Sequence, residues 1–73
     1  MRKYLIVIEK GSDGYGAYSP DIPGCVAVAE TQDEVEQKMY EAMTFHLEGL
    51  REEGMLLPLG QSVAEYVVLP EAI

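Results

Sequence analysis

Two prolines set three residues apart, Pro20 and Pro23, restrict this chain more than any other feature. Each fixes its own φ and pushes the residue before it away from helix. They sit in Tyr15-Gly16-Ala17-Tyr18-Ser19-Pro20-Asp21-Ile22-Pro23-Gly24-Cys25. Asp21 can fold its carboxylate onto nearby amides, and Gly24 can take a φ that other residues avoid. The stretch reads as a strand, a corner built on Pro20, Pro23 and Gly24, and the start of another strand. On the first strand, Tyr15, Ala17 and Ser19 point to one side, and Gly16 and Tyr18 to the other.

The flanking elements follow from this corner. Residues 3–9 form a first strand, since Tyr4-Leu5-Ile6-Val7-Ile8 is apolar, rich in β-branched residues and free of breakers. An uninterrupted apolar run predicts a strand covered on both faces, central in its sheet or at an interface between copies. Gly11-Ser12-Asp13-Gly14 is a turn by composition, joining strands 1 and 2 as a hairpin. Cys25-Val26-Ala27-Val28-Ala29 is a third strand. Its Cys25, Ala27 and Ala29 face is small enough for a helix to lie close, and Val26 and Val28 face the other way.

Thr31-Gln32-Asp33-Glu34 reads as a capping box, with Thr31 accepting from the Glu34 amide and Glu34 reaching back to the Thr31 amide. The helix it opens is predicted over 32–53, closed by Gly54 and blocked by Pro58. Val35, Met39, Ala42, Met43, His46 and Leu50, widened by Leu47, make one apolar stripe. Glu34, Glu41 and Glu48 form an acidic column away from it, extended by Glu52, with Lys38 four residues after Glu34. Tyr40 and Phe45 lie off the stripe or at its edge. After an apolar return at Met55–Pro58, Val63–Leu69 reads as a fourth strand ended by Pro70. The order β-β-β-α-β predicts a two-layer α+β domain, one domain over residues 1–73.

A chain of 73 residues buries a small core, and such domains gain stability by disulfides, metal or association. Cys25 is the only cysteine and His46 the only histidine, so an internal disulfide and a metal cluster are both disfavoured. Association remains, and a homodimer or larger homo-oligomer is expected. The formal charge of −8 disfavours nucleic acid and anionic membranes and suits a basic protein partner. With no signal-like segment and no apolar run near the ~18 residues of a membrane span, a cytoplasmic protein is expected.

The groups able to do chemistry do not assemble into a motif. His46 lies within the apolar stripe, which suits a packed histidine. Cys25 and His46 would pair if strand 3 lay beneath the helix, but no oxyanion hole or orienting group accompanies them. Asp21 has no companion carboxylates for a metal site, only Glu9 at a strand end and Glu65. The glycines of 11–16 lack the Lys-Ser/Thr of a phosphate loop and open no helix. No catalytic residue, metal or cofactor is expected. The candidate partner-binding residues are Tyr15, Tyr18 and Asp21 near the corner, or Glu41 and Glu48 on the helix.

Taken together, the Tyr-Ser-Pro-Asp-Ile-Pro-Gly-Cys core of 18–25, the small-residue strand, Thr31 with Asp33-Glu34-Val35, Glu41-Ala42, His46-Leu47, and Gly54 leading to Pro58 resemble the HicB family. The resemblance covers Tyr4 to about Val68. It implies a partial ribonuclease-H-like fold and an antitoxin that binds and masks HicA, a small basic toxin that degrades mRNA. Many HicB proteins carry a C-terminal DNA-binding domain; this sequence ends at Ile73, so operator binding is not expected of it. The ribonuclease-H-like carboxylate set is missing, so nuclease activity does not follow from the fold. Two alternatives stay open: a stand-alone oligomeric binding or scaffold protein, and a small hydrolase or nuclease using Asp21, Cys25 or His46.

Overall fold

A computed structural model describes residues 2–71. Among these residues three strands and one helix form: β1 (Val7–Lys10), β2 (Tyr15–Tyr18), β3 (Val26–Ala29) and α1 (Gln32–Glu52). The sheet is antiparallel in the order β1-β2-β3. Val7 lies opposite Tyr18, which lies opposite Val26; Ile8, Ala17 and Ala27 form the next row. The turn between β1 and β2 is closed by the Gly11 N–H donating to the Gly14 carbonyl at 2.7 Å.

Alternation along the strands decides what each face carries. The Ile8–Ala17–Ala27 side is the inner one, and α1 lies across it. Ala17, Ile22, Cys25, Val35 and Met39 are the buried apolar residues, ringed by half-buried Tyr4, Ile6, Ile8, Tyr15, Ala27, Ala29, Met43 and Leu47. The small β3 face does carry the helix, and the apolar stripe of α1 does face the sheet. Ile22 is fully buried, so the proline corner is also an anchor, worth about 1.5–3 kcal/mol in buried apolar surface.

The ends of α1 follow its sequence. Thr31 Oγ1 accepts from the Glu34 N–H at 3.1 Å. The reciprocal half differs from the expected box: the Thr31 hydroxyl donates to the Glu34 carboxylate at 2.9 Å. At the other end Gly54 takes φ 71°. Its N–H donates to the Arg51 carbonyl, and that of Met55 to the Leu50 carbonyl, a Schellman closure.

Two expectations are corrected. β1 is an edge strand, so of the two places its apolar run pointed to, the centre of the sheet is ruled out and an interface between copies is left. The fourth strand over 63–69 does not form: residues 55–70 hold no regular structure and 59–70 are exposed throughout. A strand exists only through a neighbour's backbone, and this segment leaves the sheet before it can find one. The order within the chain is therefore β-β-β-α. Residues 58–62 cross the start of the chain, where Tyr4 Oη donates to the Pro58 carbonyl at 2.8 Å. Gly60 passes so close to the Lys3 carbonyl that a Cβ there would collide with it.

The facing of α1 yields a contrast between two helix positions. Met39→Ala, in the closed core, should lower stability by about 2–5 kcal/mol. Phe45→Ala, 80% exposed on the same helix, should change it by less than about 0.5 kcal/mol. Urea unfolding followed by circular dichroism measures both.

Candidate functional site

The helix covers one face of the sheet and leaves the other bare. By strand alternation that outer face carries Leu5, Val7, Gly16, Tyr18, Val26 and Val28. Val26 and Val28 are 68% and 73% exposed, and Tyr18 is 42% exposed between Val7 and Val26. An antiparallel sheet with one solvated face ordinarily places polar residues there. An apolar outer face is therefore a candidate docking surface, rimmed by the exposed Glu9.

The corner below Tyr18 is held by Ser19 and Asp21. Continuing the β1–β2 register sets Leu5 opposite Pro20, which has no N–H to offer. Side chains replace that ladder step. Ser19 Oγ donates to the Leu5 carbonyl at 2.8 Å, and the Leu5 N–H donates to Asp21 Oδ2 at 2.9 Å. Ser19 Oγ also accepts from the N–H groups of Asp21 and Ile22, both at 3.2 Å. The second oxygen of Asp21 accepts from the Ser62 N–H at 2.9 Å, fastening the C-terminal return to the corner. These bonds, the Leu5 amide first, hold the Asp21 carboxyl below its ordinary value of 3.8.

Gly24 has φ 88°, a value that disfavours any side chain, and Pro20 and Pro23 are exposed. Tyr15 and Tyr18 point to opposite sides of the sheet. Tyr15 packs against the core, so the two do not share one surface. Glu41 and Glu48 are exposed on α1, on the far side of the molecule from Tyr18. Glu41 accepts from Gln37 Nε2 at 3.1 Å, and Glu48 lines a shallow groove with Arg2 and Arg51.

Burial raises the Cys25 thiol above its ordinary value, which keeps it protonated and poorly nucleophilic at neutral pH. His46 is half-buried on the apolar stripe. Among the described residues no three His, Cys, Asp or Glu side chains converge as a metal site. An open groove of about 890 Å³ lies between the hairpin turn and the start of α1, lined in part by Glu9, Lys10, Glu30, Glu34 and Lys38. Those charges are exposed and of both signs. No helix among the described residues is long and apolar enough to cross a membrane.

Sequence reasoning missed Ser19 as the hub of the corner, Ile22 as its anchor and Ser62 as its third tether. Ile22 had one legible signal, being the only large apolar residue between two prolines.

Comparison with known proteins places this architecture. A family model described as the HicB-like antitoxin of bacterial toxin–antitoxin systems matches residues 4–72. A 14.9 kDa protein of the rep-hol intergenic region of Haemophilus phage HP1 is 40% identical over 68 residues, 93% of this chain. The chain spans about half (51%) of that relative's length. An Archaeoglobus fulgidus protein described as UPF0150 is 43% identical over 47 residues, covering 63% of this chain and 68% of its own. Among solved structures, a chain of the HicA3 and HicB3 toxin–antitoxin complex superposes with a TM-score of 0.63 at 38% identity. That match covers 75% of this chain and 64% of the other.

The Asp21 tether makes acid stability testable. A carboxylate with a lowered folded-state pKa contributes stability above its unfolded value, about 3.8, and loses it as pH falls through the folded value. Asp21→Asn should lower the melting temperature at pH 7, and the gap to the parent chain should close as the pH is taken below that value. Thermal melts between neutral and strongly acidic pH read this out; a gap that stays constant contradicts the tether.

Proposed function

The chain belongs to the HicB-like antitoxin family, and from that premise we propose that it binds a small basic HicA-type toxin and occludes its mRNA-cleaving site stoichiometrically. The observation that carries the reading is the similarity to a chain of the HicA3 and HicB3 complex, at 38% identity over three quarters of this sequence. The β-β-β-α order supports the partial ribonuclease-H-like reading of the fold, with residues 1–73 acting as one HicB-like unit in the cytoplasm.

The docking surface in this proposal is the outer sheet face. Tyr18, Val26 and Val28 offer an exposed apolar centre of the kind that dominates interface energetics, and Tyr is a frequent anchor there. Glu9 at the rim and the net charge of −8 complement a basic partner. Glu41 and Glu48, on the opposite layer, contribute to steering rather than to contact. Asp21 acts through the corner, shaping the surface beneath Tyr18, and Tyr15 supports it from the core side. The action is non-enzymatic. The amide bonds to both Asp21 oxygens and the raised Cys25 thiol support that reading.

Titration calorimetry and surface plasmon resonance against a small basic HicA-type toxin test the proposal. Tyr18→Ala should weaken binding by at least about tenfold with the fold intact. Glu41→Gln together with Glu48→Gln should leave the dissociation rate unchanged and slow association at low salt. Absence of binding by the parent chain overturns the antitoxin reading.

A further inference from the structure

Gly16 is a glycine that the fold does not require. It lies within β2, the central strand of the sheet, where a residue without a side chain weakens the strand. At other glycines the reason is visible: Gly14, Gly24 and Gly54 take positive φ, and Gly60 passes against the Lys3 carbonyl. The φ of Gly16 is not positive. A Cβ at this position would meet the Ala27 carbonyl oxygen at 3.9 Å, an ordinary contact, and nothing closer. The register runs unbroken through Gly16 on both sides, so no bulge calls for it. An aromatic ring opposite a sheet glycine can cover it, but the residues opposite are Glu9 on β1 and Val28 on β3. The remaining reason for a glycine within a strand is the close approach of another molecule.

The gap lies on the outer sheet face. Strand alternation puts Glu9, Gly16 and Val28 in one outer row, next to the row of Val7, Tyr18 and Val26. A missing side chain at the centre of the first row leaves a notch between Glu9 and Val28, with Tyr18 beside it two residues along β2. The open groove by the hairpin turn runs into this notch, since Glu9, Gly16 and Val28 all line it. Glu9 is exposed, and no hydrogen bond among the described residues engages its carboxylate. Lys38, at the same groove, is already held: its Nζ donates to the Val28 carbonyl at 3.0 Å.

The chemistry of the groove selects what enters the notch. Glu9, Asp13, Glu30 and Glu34 outnumber Lys10 and Lys38 along it. A long cationic side chain lays its methylenes along apolar surface and keeps its charged head at the edge, so Val28 and Tyr18 suit the stem and Glu9 the head. The Tyr18 ring adds an attraction of its own for a cation. An apolar side chain in the same place would cover Glu9 without a partner, which is costly. We propose that the notch at Gly16 receives one lysine or arginine side chain of the basic partner, with Glu9 binding its head, and that the absent side chain at 16 is a specificity determinant. The inference rests on the antitoxin reading and adds to it the contact that selects among basic partners. A toxin without a long cation at that place leaves Glu9 unpaired. A side chain at position 16 shuts out a toxin that has one.

The test compares the full chain with Gly16→Val, Glu9→Gln and the double variant. Each is melted alone, and each is passed over an immobilised HicA-type toxin in surface plasmon resonance. The melting temperature of Gly16→Val should equal or exceed that of the parent, because a β-branched residue replaces glycine at an open strand position. Its affinity for the toxin should nevertheless fall by at least about tenfold. Glu9→Gln should lose a similar factor, through faster dissociation rather than slower association. Adding Glu9→Gln to Gly16→Val should cost little more, because the head that Glu9 binds is already shut out. A melting temperature that falls on Gly16→Val makes the glycine a requirement of the fold and overturns the proposal. So does an unchanged affinity in Gly16→Val. An unchanged affinity in Glu9→Gln, which gives the notch to an uncharged side chain, overturns it as well, and so do losses that simply add. In all these cases a parent chain that binds the toxin leaves the antitoxin reading standing; a parent chain that does not bind overturns both.

Discussion

The fold depends on how the chain replaces one missing hydrogen-bond donor. Pro20 falls where β2 should continue opposite Leu5, and a proline cannot make that step. Ser19 and Asp21 make it with side chains instead, one bonded to the Leu5 carbonyl and the other to its amide. Because the substitute groups are side chains, the backbone is released to turn. It turns inward, burying Ile22, and comes out through Gly24 into β3. The same carboxylate holds Ser62, so the run before β1 and the return after α1 meet at the corner. Ionised Asp21 is the part of this arrangement that responds to pH.

The two-layer construction then sorts the surfaces. Covering the inner face with α1 needs small residues on and just before β3, and Cys25, Ala27 and Ala29 supply them. Strand alternation puts the larger Val26 and Val28 outside, beside Tyr18. An acidic chain thus presents a bare apolar sheet on one side and a charged helix on the other. That pairing fits the proposed docking on a basic partner, and membership of the HicB-like antitoxin family gives the proposal a context.

Much of this was legible in local chemistry. The turn glycines, the Thr31 cap, the apolar stripe from Val35 to Leu50 and the closing Gly54 each act over a few residues, and each appears where the sequence puts it. The corner was legible as a corner, but its wiring was not. Ser19 reaches Leu5 across fourteen positions, and Asp21 reaches Ser62 across forty-one. No local pattern encodes such distances. The candidate site was legible in part: alternation already separated Tyr15 from Tyr18, yet only the placement of α1 showed which of the two faces was covered.

The fourth strand marks the boundary between the two kinds of information. Residues 63–69 have the composition of a strand, and composition is a property of the sequence alone. A strand, however, is a relation between two backbones, and the tertiary structure sends this segment across the corner to the Asp21 tether and outward. Sequence therefore determined the elements that complete their own hydrogen bonds, the hairpin and the helix, together with the alternation that makes the sheet two-faced. Tertiary structure decided which strand stands at the edge, which face stays bare and which segment is left without a neighbour, because each depends on groups far apart in the chain meeting in space.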